Sequence, residues 1–245
     1  MKDVFKKLSL FEAGKVLDAA TGRGDFINVI KQHFKSYTQI IGIDYSETSI
    51  KHAQKLFPEN DIELYKMNLE KLSFADGYFD TVCISNSLHH LEHPEAVFAE
   101  LMRVLRPGGL MVLVEMYRDG EQTPAQQTHI NMHHWFAQID TSNKVFHRET
   151  YLKEELLAFA HKLPLLKTTI EDFYIPVDNP TDPVATEPMV KNVQEWIKKC
   201  ESIPAAEHLC CEGHKIIERI KTAGCVSASR LLITGYKHKE KKHTK

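Results

Sequence analysis

The sequence predicts a doubly wound α/β fold, in which helices cover both faces of a mostly parallel sheet. The first observation is that short apolar runs alternate with amphipathic helical patterns through the first half of the chain. The second is that polar residues follow four of these runs, at 18–24, 44–45, 67–70 and 85–90. Strands that alternate with helices form parallel sheets with right-handed crossovers, and ligands bind at the carboxyl ends of such strands.

Five short apolar runs, of which QIIGID is rich in β-branched residues, predict the strands of a core over residues 15–116. They are KVLDAA (15–20), QIIGID (39–44), IELYKMN (62–68), FDTVCISNS (79–87) and LMVLVEM (110–116). Three segments with apolar residues on one helical face predict the intervening helices, at 25–34, 46–57 and 94–105. Ser46 is a suitable N-cap for the second helix, and Pro94 occupies the favoured first position of the third.

The second half of the chain is less regular. Residues 117–148 form a polar, variable segment, after which we expect a helix at 148–163 and a strand at 165–175. A Pro-rich linker at 177–188 leads into the remaining elements. These are two helices at 189–200 and 207–224, within a helical insertion at about 184–224, and a last strand at 229–237. The whole chain, 1–245, is expected to form a single domain.

Composition sets limits on the function. The chain has 245 residues, 42% apolar and 26% charged, which is ordinary for a globular protein. A net charge of −2 provides no overall attraction to nucleic acid or to an anionic membrane. No apolar run is long enough for a signal peptide or a membrane span. Five cysteines without a CxxC pair predict free thiols and a cytoplasmic protein, and the basic tail at 237–245 is expected to be a disordered terminus.

The turn in VLDAATGRG (16–24) decides which ligand the first strand meets. Gly22 and Gly24 match the first two glycines of the dinucleotide pattern G-x-G-x-x-G, but the third position is Ile27. A carboxylate such as Asp18 is also unfavourable beside a pyrophosphate, and it suits a ligand with a cationic end. Both observations argue against a nicotinamide dehydrogenase, although small residues also serve any tight turn between a strand and a helix.

Two further strand ends complete the predicted ligand. Asp44 can accept two hydrogen bonds from a ribose diol. Asn68 can pair with an adenine edge while Tyr45 or Leu69 covers the ring face. A ribose, an adenine and a cationic end, without a phosphate, describe S-adenosylmethionine.

At these residues the chain resembles the class I S-adenosylmethionine-dependent methyltransferases, in the branch that includes the ubiquinone and menaquinone C-methyltransferases. The matching segments are VLDAATGRGDF (16–26), IGIDYS (41–46), MNLEKLSFADGYFD (67–80) and SNSLHHLEHPEAVFAELMRVLRPGGLMVL (85–113). The resemblance implies a Rossmann-like sheet of seven strands, continued through 165–175 and 229–237.

The resemblance also implies roles for individual residues. The methionine portion of the cofactor is expected at the turn, Asp44 at the ribose, and Asn68 with Leu69 at the adenine. Ser85 and Asn86 are expected on the sulfonium side. The predicted cofactor-binding residues are therefore Asp18, Ala20, Thr21, Gly22, Gly24, Asp44, Tyr45, Asn68, Leu69, Ser85 and Asn86. The adenine position is usually an aspartate in this family, but the amide oxygen of Asn68 can still accept a hydrogen bond.

Histidines supply the candidates for catalysis and for substrate contact. A sulfonium is a strong electrophile, so the enzyme mainly aligns the acceptor, and a base is needed only if the acceptor loses a proton. His89 and His90 are candidates for that base, or else pack beneath the loop. In this family the segment after the fifth strand often covers the active site, which makes His133, His134 and Trp135 candidate substrate contacts. His129 and His133 have metal-ligand spacing, but no further ligand is placed by the sequence, and no metal is predicted.

We therefore expect a methyltransferase that uses S-adenosylmethionine and acts on a small molecule. The alternatives are an RNA (tRNA or rRNA) methyltransferase and a non-catalytic regulatory module that binds the same cofactor. The balanced charge makes nucleic acid an unexpected partner, and no membrane association is expected. The helical insertion could serve as a lid, as the surface of a homodimer or as a cover for the sheet.

Overall fold

The computed structural model describes residues 4–58, 61–203 and 206–238, and a seven-stranded sheet lies at its centre. The strands are β1 (Lys15–Ala19), β2 (Gln39–Asp44), β3 (Ile62–Lys66), β4 (Phe79–Ser85), β5 (Leu105–Met116), β6 (Leu165–Phe173) and β7 (Arg230–Lys237). Their order is β3-β2-β1-β4-β5-β7-β6. β1 to β5 are parallel, and β7 runs antiparallel to both of its neighbours. The predicted mostly parallel, seven-stranded sheet with an insertion before its last strand is confirmed.

Seven α-helices connect or follow these strands within the described ranges. They are α1 (Asp25–His33), α2 (Glu47–Leu56), α3 (Pro94–Val104), α4 (Pro124–Ser142), α5 (Lys153–Lys162), α6 (Pro183–Cys200) and α7 (Glu207–Ala223). Short 3-10 helices cover Val4–Leu10 and Leu88–His90. None of the helices in the described part of the chain is long and apolar enough to cross a membrane. Most of the predicted basic tail, 239–245, lies outside the described residues.

The two faces of the sheet carry separate apolar layers. Side chains alternate along a strand, so Leu17 and Ile41 face one layer while Val16 and Ile40 face the other. The first layer includes apolar residues of α3 and α5, and the second includes those of α1 and α2. This arrangement leaves the carboxyl ends of β1 to β4 open at one edge.

The segment 117–148 differs from the prediction, because it contains the 19-residue helix α4. Thr123 and Gln126 form a reciprocal capping box at its start. The periodicity is obscured because α4 buries polar side chains such as Gln126 and Thr128 as well as apolar ones. Gln126 satisfies its amide by donating to Ser229 Oγ and to the Ser227 carbonyl, and Thr128 donates to the Pro124 carbonyl.

The predicted linker at 177–188 is also partly helical, since α6 begins at Pro183. Asp182 caps this helix by accepting a hydrogen bond from the Val184 N–H. The helical insertion does not lie on the sheet as a cover. Instead α6 and α7 pack with α4 into a helical cluster, in which Trp135 and Ile139 meet Val193 and Ile216.

Candidate active site

A cleft of about 780 Å³ opens at the carboxyl ends of β1, β2, β3 and β4. Nine of the eleven predicted cofactor-binding residues line it: Ala20, Thr21, Gly22, Asp44, Tyr45, Asn68, Leu69, Ser85 and Asn86. These residues lie in the four loops that follow β1, β2, β3 and β4. The loops are well separated in the sequence; Gly22 and Asp44, for example, are 22 residues apart. The topology of a parallel sheet brings them to one edge, as the sequence predicted.

The Asp44 carboxylate is held in place by two backbone amides. The Gly22 N–H donates to Oδ2 at 2.9 Å, and the Ser46 N–H donates to Oδ1 at 2.8 Å. Each carboxylate oxygen can accept a further hydrogen bond, and both can therefore receive a pair of hydroxyl groups from the cleft. The end of β2 therefore presents a fixed negative charge to the cleft, not a cationic side chain.

The turn after β1 is built from residues in the left-handed backbone region. Ala20 has φ +54° and Gly24, the N-cap of α1, has φ +91°. Ala20 lines the cleft, and such a conformation in a residue with a Cβ is typical of functional turns. Asn86, which follows β4 on the same cleft, has φ +47°. Gly24 does not line the cleft, because it packs against Phe57 beneath the turn.

Asp18 lies below the cleft rather than in its lining. It is 1% exposed and accepts a hydrogen bond from the Thr21 hydroxyl at 2.5 Å. Burial, partly opposed by this hydrogen bond, raises the pKa of Asp18 to about 7. Asp18 can therefore act on a ligand through Thr21, which does line the cleft.

The loop after β3 provides an amide and an apolar side chain. Asn68 is exposed, and its Oδ1 accepts a hydrogen bond from the Glu70 N–H at 3.0 Å. Its amide oxygen can accept one more bond, and its Nδ2 is a donor. Leu69 is 8% exposed and belongs to the apolar layer, whereas Tyr45 is 76% exposed across the cleft.

Ser85 and Asn86 follow β4, where Asn86 Nδ2 donates to Ser85 Oγ at 3.3 Å. The Oδ1 atom of Asn86 is buried and has no hydrogen-bond partner among the described residues. A buried acceptor without a donor is unfavourable in the free protein. Asn86 itself lines both the cleft and a separate cavity of about 110 Å³.

A buried histidine–carboxylate pair lies behind this loop. His89 and Glu115 are both 0% exposed, and His89 Nδ1 lies 3.2 Å from Glu115 Oε1. Glu115 also accepts hydrogen bonds from the Leu88 and Met116 amides. The pair therefore fixes the loop that carries His90 to β5.

His90 lines the cleft, and its ring packs between His89 and His147 at centroid separations of 4.3 and 4.0 Å. Desolvation of the packed side of the ring, together with these two imidazoles, lowers the pKa of His90 to about 2. His90 is nevertheless exposed on its cleft side, where its ring is within reach of an acceptor.

The three predicted substrate contacts on α4 lie away from the cleft lining. Trp135 is 1% exposed, and its Nε1 donates to the Leu209 carbonyl at 2.8 Å inside the helical cluster. Trp135 packs against α7 and does not line the cleft, so its contact with substrate stays a prediction. His134 lies 2.9 Å from the Thr150 hydroxyl, and His133 lines a separate cavity of about 110 Å³.

Sequence reasoning did not assign Glu115, Phe146 or His147. Glu115 could have been found, because it is the only carboxylate in the apolar run 110–116. Phe146 lines the cleft, and His147 Nδ1 lies 2.7 Å from Asp140 Oδ2. Both are carried to the site by the loop after α4, where the Arg148 N–H donates to the His89 carbonyl. A local sequence pattern cannot predict this contact, because Arg148 and His89 are far apart in the chain.

The strand order and this cleft define a class I S-adenosylmethionine-dependent methyltransferase fold. Residues 17–113 match the family model described as a methyltransferase domain. One relative is the ubiquinone/menaquinone biosynthesis C-methyltransferase UbiE of Desulfotalea psychrophila, which is 35% identical over 103 residues. That alignment covers 42% of this chain and 42% of the relative, so less than half of either protein is compared.

Solved structures extend the fold comparison to nearly the whole chain. The YcgJ protein of Bacillus subtilis has a TM-score of 0.61 at 18% identity, over 96% of this chain and 97% of its own. The [4+2]-cyclase SpnF also has a TM-score of 0.61, at 17% identity, over 97% of this chain and 79% of its own. At these identities the likeness shows the fold alone. The name of the second protein indicates that the fold is compatible with other chemistry.

Proposed function

We propose that the protein transfers the methyl group of S-adenosylmethionine to a small-molecule acceptor. The observation that carries this proposal is the Asp44 carboxylate, held by the Gly22 and Ser46 amides at the edge of the cleft. A fixed carboxylate at the end of β2 is suited to a ribose diol and unsuited to a phosphate.

The other residues of the cleft fit the same cofactor. Ser85 and Asn86 border the cleft at the end of β4, on the side proposed for the sulfonium. Leu69 offers an apolar surface and Asn68 an amide where an adenine would lie between β2 and β3. Asp18 and Thr21 place a carboxyl group beneath the turn, on the side of the cationic end.

When bound, the cofactor supplies an electrophilic methyl group on a sulfonium. The task of the chain is then to hold the acceptor in line and to exclude water. Ser85, Asn86 and His90 border the part of the cleft that follows β4, and Phe146 adds an apolar wall there. We propose that these side chains position the acceptor, whereas no side chain has to remove a proton before transfer.

The relative from Desulfotalea psychrophila is described as a quinone-biosynthesis C-methyltransferase, which makes a quinol ring one candidate acceptor. The alignment covers 42% of this chain, and the family match ends at residue 113. The segment that brings Phe146 and His147 to the cleft lies beyond that match. We therefore propose an acceptor of small-molecule size and treat the quinol as one compound in the assay.

The cofactor site is tested by isothermal titration with S-adenosylmethionine and S-adenosylhomocysteine. Asp44→Ala removes a charged partner, and each lost charge-assisted hydrogen bond costs about 1.5–3 kcal/mol, or roughly tenfold to 150-fold in affinity. Asp178→Ala, which removes an exposed carboxylate, is the control and should bind like the wild type. Absence of binding by the wild-type protein would refute the proposal.

The acceptor class is tested with labelled S-adenosylmethionine. Label transfer to a small molecule, for example a demethylmenaquinol analogue, supports the proposal, and transfer only to tRNA or rRNA overturns the acceptor class. Binding without transfer to any compound favours the regulatory module. A cytoplasmic location and a homodimer stay predictions of the sequence, and light scattering after gel filtration tests the latter.

A further inference from the structure

Three histidines meet beside the cleft, although they come from two distant segments. We call His89, His90 and His147 the three-histidine cluster. One ring nitrogen of each lies within 4.8 Å of those of the other two. The Arg148 N–H donates to the His89 carbonyl at 3.0 Å, which ties the loop after α4 to the loop after β4.

Two of these rings are already oriented by carboxylates. His147 Nδ1 lies 2.7 Å from Asp140 Oδ2, and His89 Nδ1 lies 3.2 Å from Glu115 Oε1. The opposite nitrogens, Nε2 of His89 and of His147, are buried and have no hydrogen-bond partner in the described part of the chain. Metal-binding histidines have this arrangement, with one nitrogen bound to a carboxylate and the other directed at the metal.

We propose that the three-histidine cluster is a binding site for a divalent transition-metal ion such as Zn²⁺. The Nε2 atoms of His89 and His147 and one nitrogen of His90 are the ligands. Zn²⁺ binds imidazole nitrogen at about 2.0–2.1 Å, so tetrahedral ligands lie about 3.4 Å apart. Ring nitrogens within 4.8 Å need to approach by roughly 1 Å or a little more.

The site differs from the one considered in the sequence. His129 and His133 lie one helical turn apart on α4, and their rings pack at 4.6 Å. They line the small cavity instead, and the cluster forms with His147, which follows α4. The proposal therefore replaces the expectation that the protein binds no metal.

His90 determines what such an ion could do, because it lines the cleft while His89 and His147 are buried. A Zn²⁺ ion with three histidine ligands keeps a fourth position for water or substrate. That position would face the cleft beside Phe146. If the methyltransferase proposal is correct, an acceptor oxygen can occupy it, and the ion then holds the acceptor rather than the cofactor.

Zn²⁺ binding tests the site without any methyl transfer. The full chain is treated with EDTA, incubated with Zn²⁺ and desalted, and the retained metal is measured. The wild type should retain one ion per chain. His147→Gln should lose it, and Asp140→Asn should weaken binding about 10–100-fold, since it alters only the orienting carboxylate. His161→Gln, at an exposed histidine of α5, is the matched control.

Co²⁺ identifies the ligands, and circular dichroism confirms that each variant is folded. A visible tetrahedral band that disappears in His147→Gln, with no thiolate charge-transfer band, supports the cluster. Failure of the folded wild type to retain Zn²⁺ overturns the proposal, as does equal retention by His147→Gln. A thiolate band would assign the metal to cysteines and would also overturn it. These results are independent of cofactor binding, so the metal site can fail while the methyltransferase proposal stands.

Discussion

Gly24 connects the cleft turn to the packing of α1, and its replacement by alanine should be costly for two separable reasons. A Cβ at Gly24 would lie 2.4 Å from Phe57 Cε2 and 3.2 Å from Phe57 Cδ2. The backbone conformation, φ +91°, costs a residue with a Cβ about 1–2 kcal/mol. Alanine offsets about 0.4–1 kcal/mol of this cost, because it lowers the conformational entropy of the unfolded chain. Overpacking against the buried ring adds about 1–3 kcal/mol. We expect a loss of about 2–4 kcal/mol in the free energy of unfolding.

Gly120 supplies a matched control, because it has φ +72° and, among the described residues, its added Cβ would meet only Tyr117, at 4.0 Å. Gly120→Ala should therefore cost about 0–1.5 kcal/mol, from backbone strain alone. Urea unfolding, followed by circular dichroism, measures both variants. Phe57→Leu removes the ring atoms in question, so Gly24→Ala should cost less in that background. Equal costs for Gly24→Ala and Gly120→Ala would refute the reasoning.

Two further predictions concern Asp18 and Trp135. The pKa of Asp18 is about 7 in the folded chain against 3.8 for an unperturbed carboxyl group, so folding retains a proton between these values and stability falls as pH rises from about 4 to 7. Asn cannot ionise, so the Asp18→Asn variant does not lose stability in this way. In urea unfolding, its free energy of unfolding relative to the wild type should rise by up to about 4 kcal/mol between about pH 4 and pH 7. A difference that stays constant with pH contradicts the raised pKa of Asp18. Trp135→Phe should lower stability by about 1–3 kcal/mol, through the lost bond to Leu209 and the smaller ring, with unchanged affinity for S-adenosylhomocysteine. If Trp135→Phe left stability unchanged and raised the KM for the acceptor, Trp135 would instead contact the substrate.

Strands β1, β2, β4 and β5 could be predicted because each contains a short apolar run that is buried on both faces of the sheet. For β1, Val16 and Leu17 belong to opposite apolar layers, so both positions between Lys15 and Asp18 are apolar. Helix α4 could not be predicted in the same way. Its polar residues are satisfied by distant partners, as Gln126 is by Ser229, and these partners are invisible in a local pattern.

The candidate site was predictable where topology alone positions a residue. Asp44 and Asn86 follow parallel strands, so both must lie at the same edge of the sheet. The alternation of side chains could also have placed Asp18 on the face of Val16, beneath the turn. His147 was not predictable, because its position depends on how the loop after α4 packs against the loop after β4.

The helical cluster has a consequence for the order of events during synthesis. Trp135 bonds to the carbonyl of Leu209, 74 residues later in the chain, and packs among residues of α6 and α7. A ribosome adds about 5–20 residues per second, so α4 emerges several seconds before the helices that cover it. During that interval Met132, Trp135 and Ile139 form an uncovered apolar stripe on the nascent chain. We expect the growing polypeptide to be most prone to aggregate, and most dependent on chaperones, after α4 has been made and before α7 is complete.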